Sequence, residues 1–147
     1  MSKTSPTQRT LAECRKRGWI AQVVEHTVPR VFIKRDLFGV IDVVAVVPQG
    51  MCRPDALGLC AYCCEVVDLY CKPCGARKGG ILGIQATSGS NHASRVTKVL
   101  EEPRAIAWVK AGGLLQVWSW SKRREPGKKR EVWLLRAEEL VVRSKAA

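Results

Sequence analysis

Apolar and polar positions follow two rhythms along this chain, and the changes of rhythm mark its elements. "SPTQ" at residues 5–8 has the form of a capping box, with Ser5 as N-cap, Pro6 as first helical residue and Gln8 reaching back. The spacing predicts a helix to about Arg17, stopped by Gly18. "WIAQVVEHTV" (19–28) reads as a strand that Pro29 ends. "FGVIDVVAVV" (38–47) is almost continuously apolar and valine-rich, the pattern of a central strand. Residues 48–79 break the rhythm with turn formers and clustered cysteines and read as an insertion, after which "GILGIQA" (80–86) resumes the strand pattern. "SGSNHASRVTKVL" turns to helical spacing, with Ser90 or Asn91 as its cap. Pro103 opens a second short helix or turn that Gly112-Gly113 closes. "LLQVWSW" (114–120) and "EVWLLR" (131–136) read as a hairpin joined by the basic loop "SKRREPGKKR". This order predicts an α/β or α+β sandwich, one domain over 1–147 with 48–79 inserted into it.

Polar residues inside the apolar runs are the candidate chemistry. Side chains alternate faces along a strand, so Phe38, Val40, Asp42, Val44 and Val46 are expected on one face. Asp42 is then a lone carboxylate in an apolar strand, and its burial requires a partner, a metal or a proton. Along 81–87, Ile81, Gly83, Gln85 and Thr87 share a face. If the two strands pair, Asp42, Gln85 and Thr87 converge: a carboxylate, a neutral amide oxygen and a hydroxyl. Such oxygen donors, with the Ala86 carbonyl, suit Mg²⁺ or Mn²⁺. A buried glutamine satisfied by backbone groups explains Gln85 equally well. Asp36 reads as a turn residue or a group supporting the site, Glu25 could reach the site through its strand face although nothing in the sequence fixes it there, and His92 is a candidate acid or base, a lone histidine being more often a surface residue.

Composition sharpens the choice of partner. The chain has 147 residues, 46% of them hydrophobic, which excludes a disordered tail. Lys and Arg number 25 against 13 acidic residues, a net charge of +12 that favours a polyanion, nucleic acid foremost. No apolar run is long enough to span a bilayer and no apolar signal core opens the chain, so a cytoplasmic protein with no membrane partner is expected. Candidate phosphate contacts are Lys34 and Arg35, the helix-start residues Ser88, Ser90 and Asn91, then Arg95 and Lys98. Arg123, Arg124, Lys128 and Lys129 of the basic loop extend the set. Helix capping and solvated charge account for the same residues without a ligand. Trp118 and Trp120 share a face with Leu114 and Gln116 and are expected in the core.

Six of the seven cysteines fall between Cys52 and Cys74, the pattern of a metal site in a reducing compartment. Cys60-x-x-Cys63 and Cys71-x-x-Cys74 supply four thiolates for one structural Zn²⁺, and "CKPCG" resembles a zinc knuckle. Cys52 and Cys64 are spare, and a loop of free thiols is the alternative.

"KRDLFGVIDVVAV … ILGIQATSGSNHASRVTKV" resembles a branch of the PD-(D/E)XK nuclease superfamily, which includes Holliday junction resolvases, restriction enzymes and small phage nucleases. The resemblance spans 5–120 apart from the insertion. It implies a restriction-endonuclease-like αβββαβ core with a mixed central sheet and the cysteine-rich insertion. Asp42 matches the metal-holding aspartate, Gln85 the second acidic position and Thr87 the lysine position, a Q-x-T variant of the motif. Glu13 resembles the helix glutamate that some resolvases add to the metal shell. The implied activity is Mg²⁺- or Mn²⁺-dependent phosphodiester hydrolysis on nucleic acid, in a possible homodimer. The alternative is an inactive nuclease-fold DNA-binding protein with a structural zinc module.

Overall fold

The computed structural model of the protein describes residues 3–47 and 80–141. The insertion at 48–79, with Cys60, Cys63, Cys71 and Cys74, lies outside the described residues. Helix α1 (Pro6–Lys16) starts where its capping residues put it: the Gln8 amide donates to Ser5 Oγ at 3.2 Å. Strand β1 (Ile20–Val23) is followed by a two-stranded antiparallel pair, β2 (His26–Val28) and β3 (Ile33–Arg35). Then come β4 (Val43–Val47), β5 (Gly80–Ser88), α2 (His92–Glu101), α3 (Pro103–Lys110), β6 (Leu114–Arg124) and β7 (Glu131–Glu139).

Five strands form one mixed sheet in the spatial order β1-β4-β5-β6-β7. Every neighbour pair is antiparallel except β5 and β6, which run parallel because α2 and α3 carry the chain back across the sheet. The protein is therefore a mixed α/β fold with helices on both faces of the sheet. On one face, Leu11 and Cys14 of α1 pack against Val43, Ala45, Leu82, Ile84 and Trp118. Burial pushes the Cys14 thiol up to about 11, so this cysteine is an inert packing residue. On the other face, Val99 of α2 and Ala105 of α3 meet Val40, Ile41, Leu115 and Val117. Gly83 permits that contact: a Cβ there would stand 2.8 Å from Ile41 Cδ1. Among the described residues, no helix is long and apolar enough to cross a membrane.

Three elements differ from their sequence pattern. The apolar run 38–47 is strand only from Val43. Phe38 and Gly39 take φ of +54° and +73°, and the Val40 amide donates to the Leu37 carbonyl at 3.2 Å, the signature of a type I′ turn. Apart from Asp42 the run is apolar because turn and strand are both packed under helices, which hides the turn from a hydrophobicity pattern. The stretch 19–28 divides into β1 and β2, since β2 leaves the main sheet to pair with β3. The final hairpin is longer than its apolar part, because β6 and β7 project past the core as a ribbon whose charged residues face water.

Candidate functional site

The turn that shortens β4 also builds the site. An antiparallel bridge between Leu37 and Ile41 folds the chain back on itself and returns Asp36 to the side of Asp42. The Val24 amide donates to the Asp42 carbonyl at 2.8 Å, which draws Glu25 close. The register that sets Val43 opposite Ile84 carries Asp42 to Gln85. There Gln85 Nε2 donates to Asp42 Oδ2 at 2.5 Å, and the Ala86 amide donates to the same oxygen at 2.8 Å. Asp42, Gln85 and Thr87 are 5%, 2% and 5% exposed.

The electrostatics of this group are unfavourable to its charge. Burial, foremost, then a hydrogen bond and charge repulsion from Asp36 push the Asp42 carboxyl up to about 8; Glu25 adds to this, and the Ala86 amide opposes it. Gln85 Oε1 is buried and has no hydrogen-bond partner, the one such side-chain atom among the described residues. Its Nε2 also reaches the Ala86 carbonyl, at 3.4 Å. Asp42, Asp36, Gln85 Oε1 and the Ala86 carbonyl are hard oxygen donors of the kind Mg²⁺ and Mn²⁺ take. Among the described residues, no group of three or more His, Cys, Asp or Glu side chains is placed to hold a metal ion.

Beside the acids is a basic cleft of about 370 Å³, lined by Lys34, Arg35, Asp36, Gly39, Lys98 and Arg104. Lys34 also pairs with Glu25 at 3.5 Å. Asp36 therefore belongs both to the acid group and to the cationic wall. Thr87 stands one pleat beyond Gln85, opposite Ser119 in the β5–β6 register. Ser88, Ser90 and Asn91 bond to one another around the start of α2: Ser88 Oγ lies 3.2 Å from Ser90 Oγ and accepts from Asn91 Nδ2 at 3.0 Å. Arg95 is half-buried on α2.

Other expected residues lie elsewhere. Glu13 is ion-paired with Arg17 at 3.1 Å on α1, which packs on the sheet face opposite to Gln85 and Thr87. It is not brought to Asp42. Arg123 and Arg124 end β6, while Lys128 and Lys129 sit in the tight turn, with Lys128 paired to Glu125. Trp118 and Trp120 are core, each indole satisfied: Trp118 by Gln116 Oε1 at 2.7 Å and Trp120 by Thr10 Oγ1 at 3.0 Å.

Sequence reasoning gave too little weight to Asp36, Glu25 and His92, and passed over Arg104. His92 is 2% exposed, its Nδ1 2.7 Å from Ser119 Oγ and its Nε2 2.6 Å from Glu138 Oε2. A signal for this existed: His92, Val96 and Val99 fall on one helical face, and that face meets the sheet. For Asp36 the signal was Phe38-Gly39 read as a turn; with Val40 included in the loop, Leu37 meets Ile41 and residues 36 and 42 stand opposite each other. Compared with protein-family models, curated proteins and solved structures, the chain shows no match.

Proposed function

We propose that the protein is a metal-dependent nuclease of the PD-(D/E)XK type, acting on phosphodiester bonds at Asp42 and Gln85. The observation that carries this reading is the buried Asp42–Gln85 pair, crowded by Asp36 and left with an unpartnered oxygen at Gln85 Oε1. A carboxyl pushed up by burial and like charge, beside an orphaned amide oxygen, is relieved by a divalent cation. Asp42, Asp36, Gln85 Oε1 and the Ala86 carbonyl would hold Mg²⁺ or Mn²⁺. Once bound, such an ion offsets phosphate charge and makes water a better nucleophile. The element order α1-β1-β4-β5-α2-β6, with β2, β3, α3 and β7 set aside, supports an αβββαβ core. Lys34, Arg35, Lys98 and Arg104 would hold the substrate phosphate beside the acids. Thr87 would orient the attacking water. The cysteines at 60, 63, 71 and 74 would hold a structural Zn²⁺ and play no part in the chemistry.

A second reading, nucleic-acid binding without cleavage, is favoured by one contact. The 2.5 Å bond from Gln85 Nε2 to Asp42 Oδ2 occupies with a neutral N–H donor a carboxylate oxygen that an active site would offer to its metal. Cleavage of branched, single-stranded and duplex DNA, followed against Mg²⁺ and Mn²⁺ concentration, separates the two. For a nuclease, wild type cleaves, Asp42→Ala does not, and Gln85→Glu lowers the metal requirement. An inert wild type that gains cleavage as Gln85→Glu establishes the second reading. Cleavage by Asp42→Ala at the wild-type rate removes the site altogether.

A further inference from the structure

We infer that the tip of the β2–β3 hairpin is a wedge that enters nucleic acid where base stacking is already broken, with Phe32 as its inserting ring. The inference rests on the proposed function for its nucleic-acid partner. β2 and β3 pair from His26↔Arg35 to Val28↔Ile33, which leaves Pro29 to Phe32 as the turn. Three consecutive apolar side chains stand out at this tip: Val31 is 57% exposed, Phe32 86% and Ile33 54%. No large apolar side chain among the described residues is more exposed than Phe32. Exposed Arg30 precedes the three and exposed Lys34 and Arg35 follow them, with no carboxylate between Pro29 and Arg35.

The backbone holds the ring outside. Arg30 and Phe32 take φ of +76° and +52°, left-handed positions that turns ordinarily give to Gly, Asn or Asp. A bulky aromatic that is both strained and solvated adds nothing to stability, and such features gather at ligand contacts. Position then selects the occupant. β3 runs from the tip into the wall of the basic cleft, because its Lys34 and Arg35 line that cleft together with Asp36, Lys98 and Arg104. Phe32 stands three residues before Arg35, roughly 10 Å along an extended chain, or about three nucleotide steps. A phosphate held at Arg35 therefore puts bases within a few steps of the ring. Lys34 pairs with Glu25 at 3.5 Å, but its side chain is 70% exposed and exchanges readily for phosphate. An anionic membrane also takes apolar and basic residues together, but through a longer apolar face. Three residues at the tip of a tight turn suit a gap between bases. Energetics select the form of that gap. Burying one phenyl ring only about offsets the cost of opening an intact stack, so a lone wedge gains little on a continuous duplex. Where the stack is already interrupted that cost falls, and insertion is net favourable.

The test titrates two labelled DNAs of equal length and charge in EDTA, a continuous duplex and the same duplex with a central mismatch bubble. Wild type is expected to bind the bubble about tenfold more tightly, the scale of one aromatic stack. Phe32→Ala should bring the two affinities together by weakening the bubble alone, and Phe32→Trp should keep the preference. The melting temperature of Phe32→Ala should match that of wild type, because the ring lies outside the core. Equal wild-type affinity for both DNAs overturns the inference. So does an equal loss on both in Phe32→Ala, or a lowered melting temperature, which would make the ring a packing residue. Capture of wild type but not Phe32→Ala by phosphatidylserine vesicles, with no preference for the bubble, overturns it in favour of a membrane surface. Cleavage is scored separately with Mg²⁺: a wild type that cuts nothing yet prefers the bubble sinks only the nuclease reading. One that cuts DNA at Asp42 but binds duplex and bubble equally sinks only the wedge.

Discussion

The two faces of the central sheet are built from the same strands and solve burial differently. Beneath α1, polar groups are few and complete: Thr10 and Gln116 each receive an indole N–H, and apolar side chains fill the rest. Beneath α2 and α3 a band of polar side chains runs across the strands, from Asp42 through Gln85 and Thr87 to Ser119 and His92. One end of that band is satisfied, because His92 bridges Ser119 and Glu138. The other end is not, because Gln85 Oε1 lacks a partner and Asp42 is crowded by Asp36 and Glu25. A fold optimised only for stability would not leave one face dry and the other frustrated. The difference marks α1 as the helix that holds the sheet and the opposite face as the one where the proposed chemistry would sit.

That contrast is broken most severely at Trp118. Trp118→Ala empties the α1 face beside Trp19, whose ring centroid is 6.1 Å away, and should cost about 3–5 kcal/mol in denaturant unfolding. An acid-to-amide change on the other face should act in the opposite direction. The Asp42 carboxyl moves from 3.8 in the unfolded chain to about 8 in the fold, so its neutral form stabilises the fold. That contribution is complete below about pH 4 and is lost as pH rises through 8. Metal-free wild type should therefore melt lower at pH 9 than at pH 5, and Asp42→Asn should regain several degrees at pH 9 and far fewer at pH 5. Added Mg²⁺ or Mn²⁺ should stabilise wild type more at the higher pH and leave Asp42→Asn unmoved. A flat wild-type melting profile over this range would remove the frustrated carboxyl.

Two glutamines sharpen the comparison. Gln116→Met strands the Trp118 indole N–H and should cost about 1–3 kcal/mol. Gln85→Met removes an orphaned oxygen along with the hydrogen bond to Asp42 and the long one to the Ala86 carbonyl, and should cost less than Gln116→Met while abolishing any metal-dependent shift in melting. Equal costs would mean that both faces are structural. The smallest effect is expected at the basic turn. Replacing Arg123, Arg124, Lys128 and Lys129 by Ala should flatten the salt dependence of nucleic-acid binding by at most about 0.9 for each phosphate no longer neutralised. Lys128 adds least to that change, being already paired with Glu125.

By itself the sequence determined what is local. Ser5 and Pro6 set the start of α1, Pro103 and Gly112-Gly113 bound α3, a valine-rich run marked β4 and an isoleucine-leucine run β5, because capping, backbone restriction and side-chain alternation act over a few residues. It also placed Gln85 and Thr87 on one face, since that follows from strand periodicity alone. Which acids would stand around Asp42 was decided by tertiary structure. Asp36 arrives through a turn that an unbroken apolar run conceals, Glu25 through a backbone bond from Val24, and Glu13 is turned away because α1 packs on the far face. His92 is buried because α2 lays its first turn on Ser119, a contact 27 residues distant in the chain. Such pairings depend on register and on which face each helix covers, and these are fixed only when the whole apolar surface is buried at once.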